Sequence, residues 1–176
     1  MTEPMQVQGI DDLNKYIAAL VDYVKKPSTT FKKASLIMFA DVINHFINEM
    51  GPDGRWQALK ESTLENRRNK MKSSSKILQD SGELKNSISK NSSDAGAEVG
   101  TNKIYARIHQ DGGTIPSHYV SPVKAKALHW GGSPGFFSKG HMIPDVNIPQ
   151  RTFVYLSDEA CQRILDLFVN DMKDLQ

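Results

Sequence analysis

The chain has 176 residues, 39% of them hydrophobic and 24% charged, with a net charge of +2. Such a length can bury a real core in a single domain spanning 1–176, and so small a charge exerts no global pull toward nucleic acid or membrane. Cys161 is the one cysteine, which excludes an internal disulfide framework and suits a reducing compartment. No apolar run reaches bilayer length. The opening Met1-Thr2-Glu3-Pro4-Met5 lacks the basic-then-apolar layout of a secretory signal, so a cytosolic product is expected, with residues 1–9 as a disordered arm.

Residues 10–50 read as a helical scaffold. Leu13, Ile17, Leu20, Val21 and Val24 form an apolar stripe, with Asp11 and Asp12 at its start and Lys25, Lys26 and Pro27 at its end. Thr29 or Thr30 is placed to cap a second helix whose stripe runs Leu36, Phe39, Ala40, Ile43, Phe46, Ile47 and Met50. Residues 51–91 hold a turn anchored by Trp56 and Leu59, then a short basic helix. Ser62 with Glu65, and Asp80 with Glu83, have capping-box spacing. Arg67, Arg68, Lys70, Lys72 and Lys76 make a basic stretch. It reads as a solvated face or as a patch toward DNA or an acidic partner.

Residues 92–156 read as sheet and loops. Turn formers at 92–96 separate two extended runs, a hairpin with Ala97, Val99 and Thr101 on one face. Ile104 and Ile108 lie one helical turn apart before Gly112-Gly113. The stretch 114–123, with Pro116 and Pro122, shows no period and reads as a loop. Lys124–Trp130 and Phe136–Ile143 make a second hairpin about a glycine-rich tip at 131–135. An amphipathic helix closes the chain at 157–173. The expected class is α+β: an antiparallel sheet of about four strands, with the two N-terminal helices and the C-terminal helix packed on it.

Chemistry is scarce. Cys161, between Ala160 and Ile164 on the apolar face of a helix, is expected to be buried core. His109, His118, His129 and His141 lack metal-site spacing. His109 with Asp111 makes half a triad, unaccompanied by a serine in a glycine-flanked elbow. The 131–135 glycines lack the Lys-Ser/Thr ending of a phosphate loop. No cofactor, metal or catalytic residue is assigned, and a structural protein is expected over an enzyme.

Several segments in order carry a resemblance: Leu78-Gln79-Asp80-Ser81-Gly82-Glu83-Leu84-Lys85-Asn86-Ser87-Ile88, Val99-Gly100-Thr101, Tyr105–Gly113, and Ile148-Pro149-Gln150-Arg151-Thr152-Phe153. Together they resemble the virion-morphogenesis, or tail-completion, family of long-tailed bacteriophages. Two positions depart from it, Asp111 where the family has an aromatic and Thr152 where it has proline. The resemblance implies a subunit that completes the head-proximal end of the tail, or the neck, by assembling with itself as a hexameric ring. Its partners would be tail-terminator, tail-tube and neck or connector proteins, with DNA passing through the lumen and no membrane. It would be assembled in the host cytoplasm and kept in the virion. Trp56, Tyr105, His109, Gln110, Gly112, Gly113, Arg151 and Phe153 become structural or subunit-interface candidates; Arg67, Arg68, Lys70, Lys72 and Lys76 become DNA-facing candidates. The 114–123 loop and the 131–135 tip are the expected assembling parts.

Overall fold

The structure, a computed structural model, describes residues 10–25, 27–68, 74–130 and 136–174. The expected disordered arm at 1–9, the hairpin tip at 131–135, and Lys70 and Lys72 lie outside the described residues. Where the sequence reads as one domain, the chain divides into two compact units. One is built from the chain up to Lys103 and from Phe153 onward, the other from Ile104–Thr152.

The first unit is organised around α2 (Ser28–Asn48), which follows α1 (Ile10–Lys25). No side chain caps α2, whose N-cap is Pro27. Thr30 is instead buried, accepting from Tyr23 Oη and donating to Asp171 Oδ2 at 2.6 Å. The helix ends at Glu49, in a left-handed conformation with φ 56° and its N–H on the His45 carbonyl. A two-residue ribbon follows, β1 (Met50–Gly51) with β2 (Gly54–Arg55). Trp56 then packs edge-on against Phe46, ring centres 5.8 Å apart, and its amide donates to the Glu49 carbonyl.

Two capping boxes read from the sequence are not formed. Helix α3 (Glu61–Arg68) starts before Ser62, since Leu64 already donates to the Lys60 carbonyl. Helix α4 (Glu83–Asn86) is entered through Gly82 in the left-handed region, and Asp80 pairs with Arg67 instead. The 78–88 segment is held by other means. Gln79 donates to the Phe46 carbonyl at 2.7 Å, and Glu49 accepts from the Ile77 amide.

The first hairpin is present as β3 (Ser89–Ser93) and β4 (Gly96–Gly100), turned by Asp94-Ala95. Lys90, Ser92, Ala97 and Val99 share the face laid on α2, and the Lys90 ammonium sits 4.7 Å from the centre of the Phe39 ring. Helix α6 (Asp158–Lys173) packs on another side of α2, with Phe168 edge-on to Phe31. The core is thus Ala34, Val42, Phe46, Trp56, Leu84, Ile88, Phe153 and Ala160. Cys161, expected to be buried, is exposed: it lies on the flank of α6 with Leu165 and Met172, while Ala160 takes the inward position.

The second unit holds α5 (Ala106–Asp111) and six short strands: β5 (Gly113–Ile115), β6 (His118–Val120), β7 (Leu128–Trp130), β8 (Phe136–Ser138), β9 (His141–Ile143) and β10 (Val146–Ile148). The α+β class stands, yet the described strands form no four-stranded sheet. They form two-stranded antiparallel ribbons: β1–β2 and β3–β4 in the first unit, β5–β10, β6–β9 and β7–β8 in the second. The segment 114–123, read as a loop, supplies β6 and most of β5. Its prolines hid the alternation without preventing extended pairing.

Candidate functional site

Two stretches singled out by sequence, 105–113 and 148–152, meet in the second unit. Gly112, with φ 71° and ψ 179°, ends α5 and turns the chain into β5. Only glycine adopts that backbone without strain. A Cβ there would fall 2.8 Å from the Gln150 amide nitrogen, so glycine also admits the opposing strand. The Arg151 amide donates to the His109 carbonyl at 2.8 Å, and Thr152 Oγ1 donates to the Gln110 carbonyl at 3.3 Å. Gly113 pairs with Ile148 as the first rung of the ladder. His109, Gln110, Gly112, Gly113 and Arg151 therefore form the base of a ribbon, and their shared role is main-chain geometry.

Arg151 is only 7% exposed. Burial, and then its guanidinium, hold His109 below the usual imidazole value of 6.5. The ring is therefore neutral at pH 7, with Nδ1 buried and lacking a hydrogen-bond partner. Tyr105 stacks edge-on to it, ring centres 6.3 Å apart. Asp111 pairs with Arg107 at 3.6 Å, and no such pair joins it to His109.

Above this base the ribbon is one ladder with an interruption. Ile115 pairs with Val146 and His118 with Ile143, three residues on in one strand and three back in the other, so β5–β10 and β6–β9 share a register. Pro116 and Pro144 stand between them and cannot donate to a ladder. The Ser117 amide turns to Asp145 Oδ1 at 2.6 Å. Beyond Val120, residues 121–127 lie opposite only residues 139 and 140 before Leu128 pairs with Ser138.

Alternation gives this ribbon two unlike faces. Thr114, Asn147, His118 and His141 lie on one, together with the half-buried Val120 and Ile143, and there Thr114 donates to Asn147. Ile115, Tyr119, Met142 and Val146 lie on the other. Tyr119 is 64% and Met142 58% exposed, and Phe136 and Phe137 of β8 are 69% and 72% exposed. An isolated two-stranded ribbon is at best marginal in water, and Phe136 and Phe137, successive in β8, expose their rings on opposite faces of β7–β8.

The remaining candidates belong to the first unit. Trp56 and Phe153 belong to the core of the first unit, where Phe153 lies 5.1 Å from Phe46, ring to ring. Arg67 is turned inward. Its guanidinium donates to the Ser74 and Lys76 carbonyls at 2.8 Å each and pairs with Asp80 at 3.4 Å. Arg68 is exposed and paired with Glu61. Arg67 thus ties one stretch of backbone to another, a role that basic composition alone does not distinguish from a phosphate contact.

Sequence reading missed one polar cluster, because its members are far apart in the chain. Asp41 of α2 accepts from the amide and the hydroxyl of Ser157, the N-cap of α6, at 2.9 and 2.7 Å. His45 Nδ1 donates to the Phe153 carbonyl at 3.0 Å, and its ring stacks on Tyr155. Burial, and then the Asp41 carboxylate, raise the Tyr155 hydroxyl above 10. The residue types match a hydrolase triad, but the order does not. Asp41 binds the serine and stands 3.5 Å from His45 Nε2, so no imidazole faces the hydroxyl to act as its base. Among the described residues no group of three or more His, Cys, Asp or Glu is placed to hold a metal, and no helix is long and apolar enough to cross a membrane.

A search of curated proteins and of solved structures finds no match to this chain. The profile of the phage virion morphogenesis family matches residues 10–173. The chain therefore belongs to the phage virion morphogenesis family and is a structural, virion-associated phage protein.

Proposed function

We propose that the protein completes the head-proximal end of the tail or the neck by assembling with its own copies into a closed ring. The observation that carries this is the ribbon 113–148. It is built on a glycine-dependent base, carries an apolar face, and leaves three aromatics about two-thirds exposed. At roughly 200 Å² per aromatic side chain, Tyr119 and whichever of Phe136 and Phe137 shares its side of the ribbon offer about 270 Å². A specific interface needs about 500 Å² from each partner, and Ile115, Met142 and Val146 supply the rest. A repeated head-to-tail contact of this kind closes into a ring when its rotation divides a circle. Tail-terminator, tail-tube and connector proteins are the flanking partners in this reading, with DNA crossing the lumen.

The test is to replace residues 121–140 with a two-residue Asn-Gly turn and complement a phage lacking the protein. A folded product that no longer yields joined, infectious particles is expected. A normal particle yield from that deletion defeats the proposal.

A further inference from the structure

Helix α2 is apolar on more sides than the chain covers. On a helical wheel Asp41 and His45 face the Phe153–Ser157 segment, Phe39 lies under Lys90 of the β3–β4 hairpin, and Ala34, Val42 and Phe46 are buried between these directions. Leu36, Ala40, Ile43 and Ile47 form the next row, spaced like a packing seam. Leu36 is 50% and Ile47 48% exposed. An apolar row of this kind on a helix ordinarily faces a partner.

The position of this bare row is informative. Phe39, its neighbour on the wheel, lies under Lys90 of β3, so β3 is the hairpin strand nearer the row. Among the described residues β3 pairs only with β4. Two strands cover about 10 Å of helix width. The next strand position, outside β3, lies over Leu36, Ala40, Ile43 and Ile47. An apolar-faced strand hydrogen-bonded to the β3 edge would therefore cover the row and satisfy the edge together.

The ribbon has the two properties such an occupant needs. It is already a paired antiparallel ladder with outer edges of its own, and its Ile115, Tyr119, Met142, Val146 face is unpartnered. We infer that the ribbon of one copy docks on a second copy beside β3, adding its strands to β3–β4 and laying its apolar face on the Leu36–Ile47 row. A four-stranded antiparallel sheet then exists across two chains. This rests on the ring reading above and names the surface that receives the ribbon.

The experiment uses the full chain with Cys161→Ser, which removes the exposed thiol. Leu36→Cys and Tyr119→Cys are made separately, both at exposed positions, and their melting curves confirm that each folds. Mixed at high concentration, and again co-expressed in assembling particles, they are oxidised and the linked peptides identified by mass. The expected result is a 36–119 link in the mixture, at least tenfold above any link formed by either variant alone. A Tyr119→Cys self-link (ribbon against ribbon), a Leu36→Cys self-link (helix against helix), or no link in either setting each overturns the inference. The 121–140 deletion reads the ring proposal separately, since it keeps Ile115, Tyr119, Met142 and Val146. Normal joining from it defeats the ring reading, whereas a missing 36–119 link in the full chain removes only this docking mode.

Discussion

Gly112→Ala is the sharpest single-residue test of how the ribbon is held. The backbone at φ 71°, ψ 179° lies in a region that holds almost only glycine, and forcing another residue there costs about 1–3 kcal/mol. The added methyl also meets the Gln150 nitrogen at 2.8 Å and its Cα at 3.1 Å. Both are main-chain atoms, so the opposing strand has to shift. The nearest bond to suffer is Arg151 N–H to the His109 carbonyl, worth about 1 kcal/mol net. The sum is about 2–4 kcal/mol against closure of the ribbon base, a roughly 30- to 1000-fold rise in local opening. Amide hydrogen exchange at residues 113–115 and 146–148 reads this directly, with α2 amides as the internal reference. Gly100→Ala is the control, since nothing lies within 4 Å of a Cβ there and its effect is expected within about 0.5 kcal/mol. Unchanged ribbon exchange in Gly112→Ala refutes the account of the base.

Asp41→Ala removes the acceptor of two Ser157 hydrogen bonds at the α6 N-cap and is expected to lower stability by about 1–3 kcal/mol, read by thermal melting; Asp41→Asn retains part of it. Arg67→Lys keeps the charge but loses the fork that bridges Ser74, Lys76 and Asp80, so a loss of about 1–2 kcal/mol is expected, against less than about 0.5 for the exposed Arg68→Ala. Asp171 is held below its usual 3.8, chiefly by the Thr30 hydroxyl and further by Lys33. Its stabilisation is present above pH 3.8 and lost as pH falls toward the depressed value, so Asp171→Asn flattens the acid limb of the stability profile. His109 has the same sign: its lowered value means the unfolded chain takes up the proton first, so ribbon protection declines as pH falls below 6.5, an effect that His109→Gln abolishes. Cys161 is exposed and is expected to react fully with a thiol reagent without denaturant.

What was legible in the sequence follows the range of the interactions involved. Helices α1, α2 and α6 announce themselves through local periodicity, and the β3–β4 hairpin through its turn residues. The caps did not, since three of them are set by distant groups: Asp171 claims Thr30, Arg67 claims Asp80, and Asp41 reaches Ser157 across 116 residues of chain. The ribbon at 113–120 was hidden by Pro116, which removes a ladder donor without stopping an extended chain from pairing on either side. Cys161 was misplaced by one position on the wheel, because α6 carries apolar residues on its flank as well as on its inward face.

The two departures from the family pattern explain themselves at the ribbon base. Thr152, where proline is usual, donates to the Gln110 carbonyl, and Asp111, where an aromatic is usual, pairs with Arg107 one turn back. Both side chains are polar here, and the corner is closed by the main-chain bond between Arg151 and His109. The corner is thus defined by backbone, which tolerates side-chain exchange at 111 and 152 but not a side chain at 112. The division of labour between Arg151 and Phe153 has the same origin. Arg151 belongs to the ribbon's unit, whereas Phe153 begins the return to the helical core, buried against Phe46. Two residues that look like one motif in the sequence therefore belong to different units, the boundary falling between Thr152 and Phe153.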